Sequence, residues 1–139
     1  MTRRQKALIR RSWAALGAHA DETMQLFYQR LFTINPNTRR LFRNKDLRLQ
    51  EKAFLQMLAL FIRSLDDDEP AITETLQASG RRHIGYGVMH SDYDGAGEAL
   101  LWTLEQMLGP RFTTEVRDAW AEAYRLLATT MRQASSSVL

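Results

Sequence analysis

The sequence has 139 residues, 45% of them hydrophobic and 25% charged, and it contains no cysteine. This length fits one domain with one core, and the lack of cysteine excludes disulfide scaffolds, thiolate metal sites and iron–sulfur clusters. Residues 1–52 carry twelve Lys or Arg and four Asp or Glu, whereas residues 53–139 carry seven and twelve. The basic half can attract an anionic partner or can simply be a solvated surface.

Apolar residues recur at helical spacing along most of the chain, and the alternation typical of strands is almost absent. The stripes, in chain order, are Leu8, Ile9, Trp13 and Leu16; Met24, Phe27, Tyr28 and Leu31; Phe54, Leu58, Phe61, Ile62 and Leu65; Ile72, Leu76 and His83; Leu100, Leu104, Met107 and Leu108; and Val116, Trp120, Ala123, Tyr124, Leu127 and Met131. We therefore predict an all-α protein with six main helices.

Residues that favour helix ends separate these stripes. Asp21 is predicted to cap the second helix, Asn35-Pro36 to begin a short turn, and Thr113 to cap the last helix after Gly109-Pro110. We expect a single domain over residues 1–139, with a frayed tail at 134–139. No apolar run is long enough to span a membrane and the Arg-rich start is unlike a signal peptide, so a cytoplasmic location is expected.

Three polar side chains fall on apolar helix faces. Gln50 precedes Phe54 by four residues and shares its face, Tyr28 lies within the second stripe, and His83 ends the fourth. Each has an ordinary structural interpretation, because a buried His, Tyr or Gln is commonly hydrogen-bonded within a core. Together they indicate a pocket with one imidazole on one wall and two hydrogen-bond donors on the other.

A single imidazole is a weak zinc or calcium site, but it suits haem, whose porphyrin supplies four ligands and leaves an axial position to a histidine. The aromatic and methionine residues would then line a flat apolar cofactor. The alternative is that they pack against one another.

Several segments resemble the globin family in the order in which globins have them. They are 7–13 in the first helix, Asn35-Pro36 and Leu41-Phe42 after the second, 80–88 around His83, and 100–124 in the last two helices. The resemblance covers residues 5–133 and is nearest to bacterial single-domain globins and the globin part of flavohaemoglobins. Segments 80–88 and 108–112 are similar to neuroglobins. The resemblance to globins implies the globin fold, with helices packed three over three around one haem b.

The resemblance also implies roles for individual residues. His83 would be the proximal iron ligand, and Tyr28 and Gln50 the distal pair that stabilises bound O2. The cofactor-binding set that it implies is Phe42, Gln50, Phe54, His83, Val88 and Tyr93.

Two positions depart from the bacterial pattern. Phe54 is bulkier than the usual Leu or Val, which predicts a narrower pocket or a displaced Tyr28. Tyr93 is present, but Ser135 stands where its glutamate partner is expected, so a carboxylate-assisted proximal histidine is not predicted.

Three functions follow from the resemblance. The first is reversible binding of O2, with NO and CO as further ligands. The second is nitric oxide dioxygenase activity with a separate reductase, and the third is gas sensing. A membrane and nucleic acid are not expected partners.

Overall fold

The computed structural model describes residues 1–66, Glu74 and residues 90–137. These residues form five α-helices and no strand: α1 (Arg3–Leu16), α2 (Ala20–Ile34), α3 (Leu47–Arg63), α4 (His90–Leu108) and α5 (Thr114–Ser137). Turns of 3-10 helix cover Gly17–His19, Pro36–Phe42, Ser64–Asp66 and Gly109–Arg111. The all-α prediction is confirmed. The stripe at 72–83 lies outside the described residues.

Local hydrogen bonds explain where the helices begin. Thr2 Oγ1 accepts from the Gln5 amide, and the Thr2 amide donates back to the Gln5 side chain, which completes a capping box for α1. Asp46 accepts from the Arg48 amide at 2.9 Å and caps α3. As predicted, Thr113 Oγ1 caps α5, accepting from the Val116 amide.

The start of α2 differs from the prediction. The N-cap is His19, and Asp21 lies inside the first turn together with Glu22. The reason is that the 3-10 turn Gly17–His19 runs directly into α2, so no separate capping residue is used. The Asp21 carboxylate still lies close to the positive end of the helix dipole.

Within the described residues, the helices bury most members of the predicted apolar stripes. α2 packs against α3 and α4, α1 packs against α5, and α4 also packs against α5. The largest side chains at the centre are Trp120, Ile9, Met24, Leu58, Leu100 and Leu104. Removing this apolar surface from water is the main force that holds the helices together. No helix in the described part of the chain has the length and apolarity that a membrane span needs.

Candidate functional site

The helices enclose a cavity of about 770 Å³. Ligand pockets in proteins commonly measure about 300–1,000 Å³, so this one can hold a sizeable organic group. Its wall is built by α2, the 3-10 segment Pro36–Phe42, α3, α4 and α5, and most of the lining side chains are apolar. The apolar members are Phe27, Leu31, Leu41, Phe42, Leu49, Ala53, Phe54, Met57, Leu60, Ala96, Leu127, Ala128 and Met131.

Tyr28 from α2 and Gln50 from α3 meet at this cavity. Gln50 Nε2 donates a hydrogen bond to Tyr28 Oη over 3.2 Å, and both residues line the cavity. The phenol oxygen is therefore an acceptor in this contact. Among the described residues the phenol proton has no acceptor of its own, which leaves it available to a ligand in the cavity.

Burial controls the ionisation of Tyr28, whose side chain is almost completely inside the protein. Burial raises the pKa of Tyr28 well above its ordinary value, because the phenolate would lose its hydration. The hydrogen bond from Gln50 acts in the opposite direction, and the charge of Glu51 adds to the increase in pKa. Tyr28 is thus a neutral phenol at physiological pH and remains a hydrogen-bond donor.

Aromatic rings hold Tyr28 from several sides. The ring centroid of Phe42 lies 5.6 Å away, that of Phe27 4.9 Å and that of Phe54 6.3 Å, all near edge-to-face. Such pairs stabilise one another beyond the surface they bury. Phe54 also contacts Phe27 at 4.9 Å. Phe54 therefore packs beside Tyr28 at the cavity, where the Tyr28 hydroxyl is in contact with Gln50.

Tyr93 contributes to the cavity wall from α4. It is buried near the start of α4 and lines the cavity. Its backbone carbonyl accepts a hydrogen bond from Tyr124 Oη on α5. Gly97, one turn further along α4, makes room for the Tyr124 ring, since a Cβ there would lie 2.8 Å from Tyr124 Cε2. These contacts fix the start of α4 relative to α5.

The cavity also has a buried acid that the sequence does not single out. Asp92 lines the cavity and is 7% exposed, and its carboxylate lies 3.4 Å from the Arg40 guanidinium. Asp92 is in the first turn of α4, where a carboxylate is favourable because of the helix dipole. The sequence contains only a weak signal for Asp92, which is that an acidic residue lies near the start of a predicted helix. Arg40 is 52 positions away in the chain, so its role as partner depends on the fold.

His83 and Val88, predicted to be on the proximal side, lie outside the described residues. The other predicted residues, Tyr28, Phe42, Gln50, Phe54 and Tyr93, all line the cavity. The wall that the described residues form is mostly apolar, it carries the neutral Tyr28 and Gln50, and its buried acid Asp92 has a basic partner. This chemistry fits a flat apolar group such as a porphyrin.

Comparison with known sequences agrees with this geometry. The sequence matches the family described as globin over residues 25–131. The chain belongs to the globin family. Members of this family bind haem and small gas molecules, and the chain is therefore a haem-binding globin of that general class. The expectation of a globin fold is confirmed.

This globin is similar to proteins of two kinds. It is 29% identical to the neuroglobin of Chaenocephalus aceratus, over 96% of this chain and 91% of that protein. Its identity to the neuroglobin of Danio rerio is also 29%, over 94% and 90% of the two chains. The flavohemoprotein of Rhizobium meliloti is 26% identical over 92% of this chain, which corresponds to 32% of the longer relative. The resemblances to neuroglobins and to flavohaemoglobins are confirmed, and the nearness to bacterial single-domain globins stays a prediction.

Proposed function

We propose that this globin holds haem b through His83 and reversibly binds O2, with NO and CO as further ligands. The observation that carries the proposal is the hydrogen-bonded pair of Tyr28 and Gln50 at an apolar cavity of about 770 Å³. Phe42, Phe54, Val88 and Tyr93 would pack against the cofactor. We further propose one globin domain over residues 1–139, and the cytoplasmic location stays a prediction.

The haem would supply the iron at which a gas molecule binds, and the residues of the chain would decide how long the molecule stays. Gln50 donates to the phenol oxygen, which orients the Tyr28 hydroxyl and leaves its proton for the ligand. A hydrogen bond to a charged group contributes about 1.5–3 kcal/mol, so one donor to a partly negative oxygen slows release about ten- to a hundred-fold. The surrounding rings exclude water that would compete for the donor.

A second candidate follows from the same pair of donors. Slow release of O2 is unsuited to delivery, but it suits the reaction of held O2 with nitric oxide. Nitric oxide, O2 and one electron together give nitrate, and the electron would come from a separate reductase. The similarity to the flavohemoprotein of Rhizobium meliloti supports this as the second proposal. A gas-sensing role has no particular observation in its favour.

The haem ligand is tested with His83→Ala. The purified variant and the wild type are titrated with haemin, and the spectra of the ferric, ferrous and CO-bound forms are compared. We expect the variant to lose stable haem and to recover a wild-type-like spectrum when free imidazole is added. Equal haem retention and an unchanged spectrum without imidazole would show that His83 is not the ligand.

The distal pair is tested by the rate of O2 release in stopped-flow experiments. Tyr28→Phe is expected to speed release about ten- to a hundred-fold, because one charge-assisted hydrogen bond is lost. Gln50→Leu should act in the same direction with a smaller effect. CO carries less charge when bound, so its release serves as the control and should change much less. If Tyr28→Phe leaves O2 release within about twofold of wild type, the donor role of Tyr28 is wrong.

A further inference from the structure

A group of exposed basic residues lies next in the sequence to residues that line the cavity, where the exposed Lys45 and Leu49 bring the cavity wall to the surface. We call it the basic rim, formed by Arg39, Arg43, Arg48 and Lys52, all four of which are exposed. Residues 39–52 contain six Lys or Arg and two Asp or Glu. Asp46, one of the two acids, is engaged in capping α3. Residues 3–11 are as basic, with five Lys or Arg and no acid, so the rim is distinguished by its place beside the cavity and not by its charge alone.

The rim surrounds an exposed apolar side chain that also lines the cavity. Leu49 is 64% exposed and is the one large apolar side chain in the described parts of the chain that is exposed to this degree. Arg48 precedes it directly and Lys52 follows one turn later, so the three share one side of α3. An apolar centre within a charged border is the usual anatomy of a protein interface.

We propose that the basic rim is the docking surface for an acidic one-electron carrier protein. This inference rests on the proposed function, since the separate reductase would need a place to dock. With haem bound, the site would supply an iron that takes up one electron on passing from ferric to ferrous, and the docked carrier would be left oxidised by one electron. The position of the rim favours this partner over nucleic acid or an anionic membrane, because neither of those gains from lying next to the cavity.

Charge complementarity would act mainly on the rate of encounter. Opposite surface potentials steer two proteins together and raise the association rate, and salt screens the effect. Arg48 is well suited to charge reversal, because it lies in the first turn of α3 where a carboxylate is favourable. Arg43 is exposed in the turn that precedes α3. Neither of the two residues lines the cavity.

The test uses the haem-loaded protein and a bacterial flavodoxin as the acidic probe. The rim variant is Arg43→Glu with Arg48→Glu. The control variant is Arg11→Glu with Arg117→Glu, which changes the net charge equally at exposed positions on α1 and α5. Binding of oxidised flavodoxin is measured by calorimetry, which needs no electron transfer, and reduction by the hydroquinone form is followed by stopped flow.

At about 0.02 M ionic strength we expect the rim variant to weaken binding and slow reduction about tenfold or more, with less than about threefold for the control. At about 0.5 M the difference should largely disappear. Equal effects of the two variants would overturn the proposal. The proposal would also be overturned if the haem-loaded protein bound basic cytochrome c, a DNA duplex or anionic vesicles as tightly as it binds flavodoxin. A normal CO-bound spectrum in all variants separates such a failure from failure of the proposed haem site.

Discussion

The interface of α1 with α5 and the cavity wall differ in how their buried polar atoms are satisfied. Between α1 and α5, Trp120 Nε1 donates to Ser12 Oγ over 2.8 Å, and the single Ser12 hydroxyl proton is shared between the carbonyls of Leu8 and Ile9. At the cavity, Gln50 donates to Tyr28, whose own proton has no acceptor among the described residues. The first region is complete without a ligand, whereas the second has a donor left over.

Because of this difference, the α1–α5 interface should determine mainly the stability of the fold, and the cavity wall mainly the binding of a ligand. The centre of the α1–α5 interface is closely packed, with Trp120 and Ile9 almost fully buried. The cavity wall surrounds about 770 Å³ of space, and its residues lose part of the contacts that a packed core would give them. Substitutions between α1 and α5 should therefore alter the free energy of unfolding, and substitutions at Tyr28 should alter ligand release.

The largest effect on stability is expected from Trp120→Ala. Truncating a fully buried Trp commonly costs about 3–5 kcal/mol, and here it also leaves Ser12 Oγ without its donor. Unfolding in urea, followed by circular dichroism, measures the loss. Tyr28→Phe is the comparison, since it keeps the ring and should change the free energy of unfolding by about 1 kcal/mol or less. Losses of similar size in the two variants would contradict the separation of the two regions.

Gly97 on α4 packs against the ring of Tyr124, which lines the cavity, and Gly97→Ala should have an intermediate effect on stability. A Cβ on residue 97 would come within 2.8 Å of the Tyr124 ring. This ring is held in place because the Tyr124 hydroxyl donates to the Tyr93 carbonyl. Overpacking of this kind costs about 1–3 kcal/mol. Gly95→Ala is the matched control on the same helix, because its Cβ would meet Asn35 Nδ2 at an ordinary 3.6 Å.

In the control variant Gly95→Ala, the usual preference for Ala over Gly in a helix should dominate, and the free energy of unfolding should increase by about 0.5–1 kcal/mol. The two variants are thus expected to shift the urea midpoint in opposite directions. A stabilising Gly97→Ala would show that the Tyr124 ring can move without loss.

Helical periodicity explains why most of the fold could be predicted from the sequence. Met24, Phe27 and Leu31 recur at the spacing of one helix face, and the structure buries all three. The start of α2 was placed wrongly at Asp21, because the preceding 3-10 turn cannot be read from the apolar pattern. Periodicity shows which face of a helix is buried, but it does not show at which residue the helix begins or what conformation precedes it.

The candidate site was predicted only where a single residue carried a signal. Tyr28 and Gln50 stood out as polar residues on apolar faces, and the resemblance to globins paired them. The contact of Tyr124 with the Tyr93 carbonyl, and that of Asp92 with Arg40, join residues 31 and 52 positions apart. Such contacts depend on how α4 packs against its neighbours, and no local pattern contains that information.

A dependence of stability on high pH that Tyr28 alone causes is the last effect we predict, and it is absent at neutral pH. Its pKa is raised in the folded protein by burial, whereas in the unfolded chain it should be close to the ordinary value of about 10. Below pH 10 the phenol is protonated in both the folded and the unfolded state, so the free energy of unfolding does not depend on the ionisation of Tyr28. Above pH 10 the unfolded chain releases the proton first, and stability falls by about 1.4 kcal/mol per pH unit until the folded protein also ionises.

Tyr28→Phe cannot lose this proton, so the comparison of the variant with wild type isolates one group from all other titrations. The difference in the free energy of unfolding between them should be constant up to about pH 10 and should then move steadily against the wild type. Urea titrations at closely spaced pH values measure it. A difference that stays constant through this range would mean that the pKa of Tyr28 is ordinary in the folded state. The phenol would then be far better hydrated than its burial indicates, and the cavity wall would be open to water at the point where the ligand is proposed to bind.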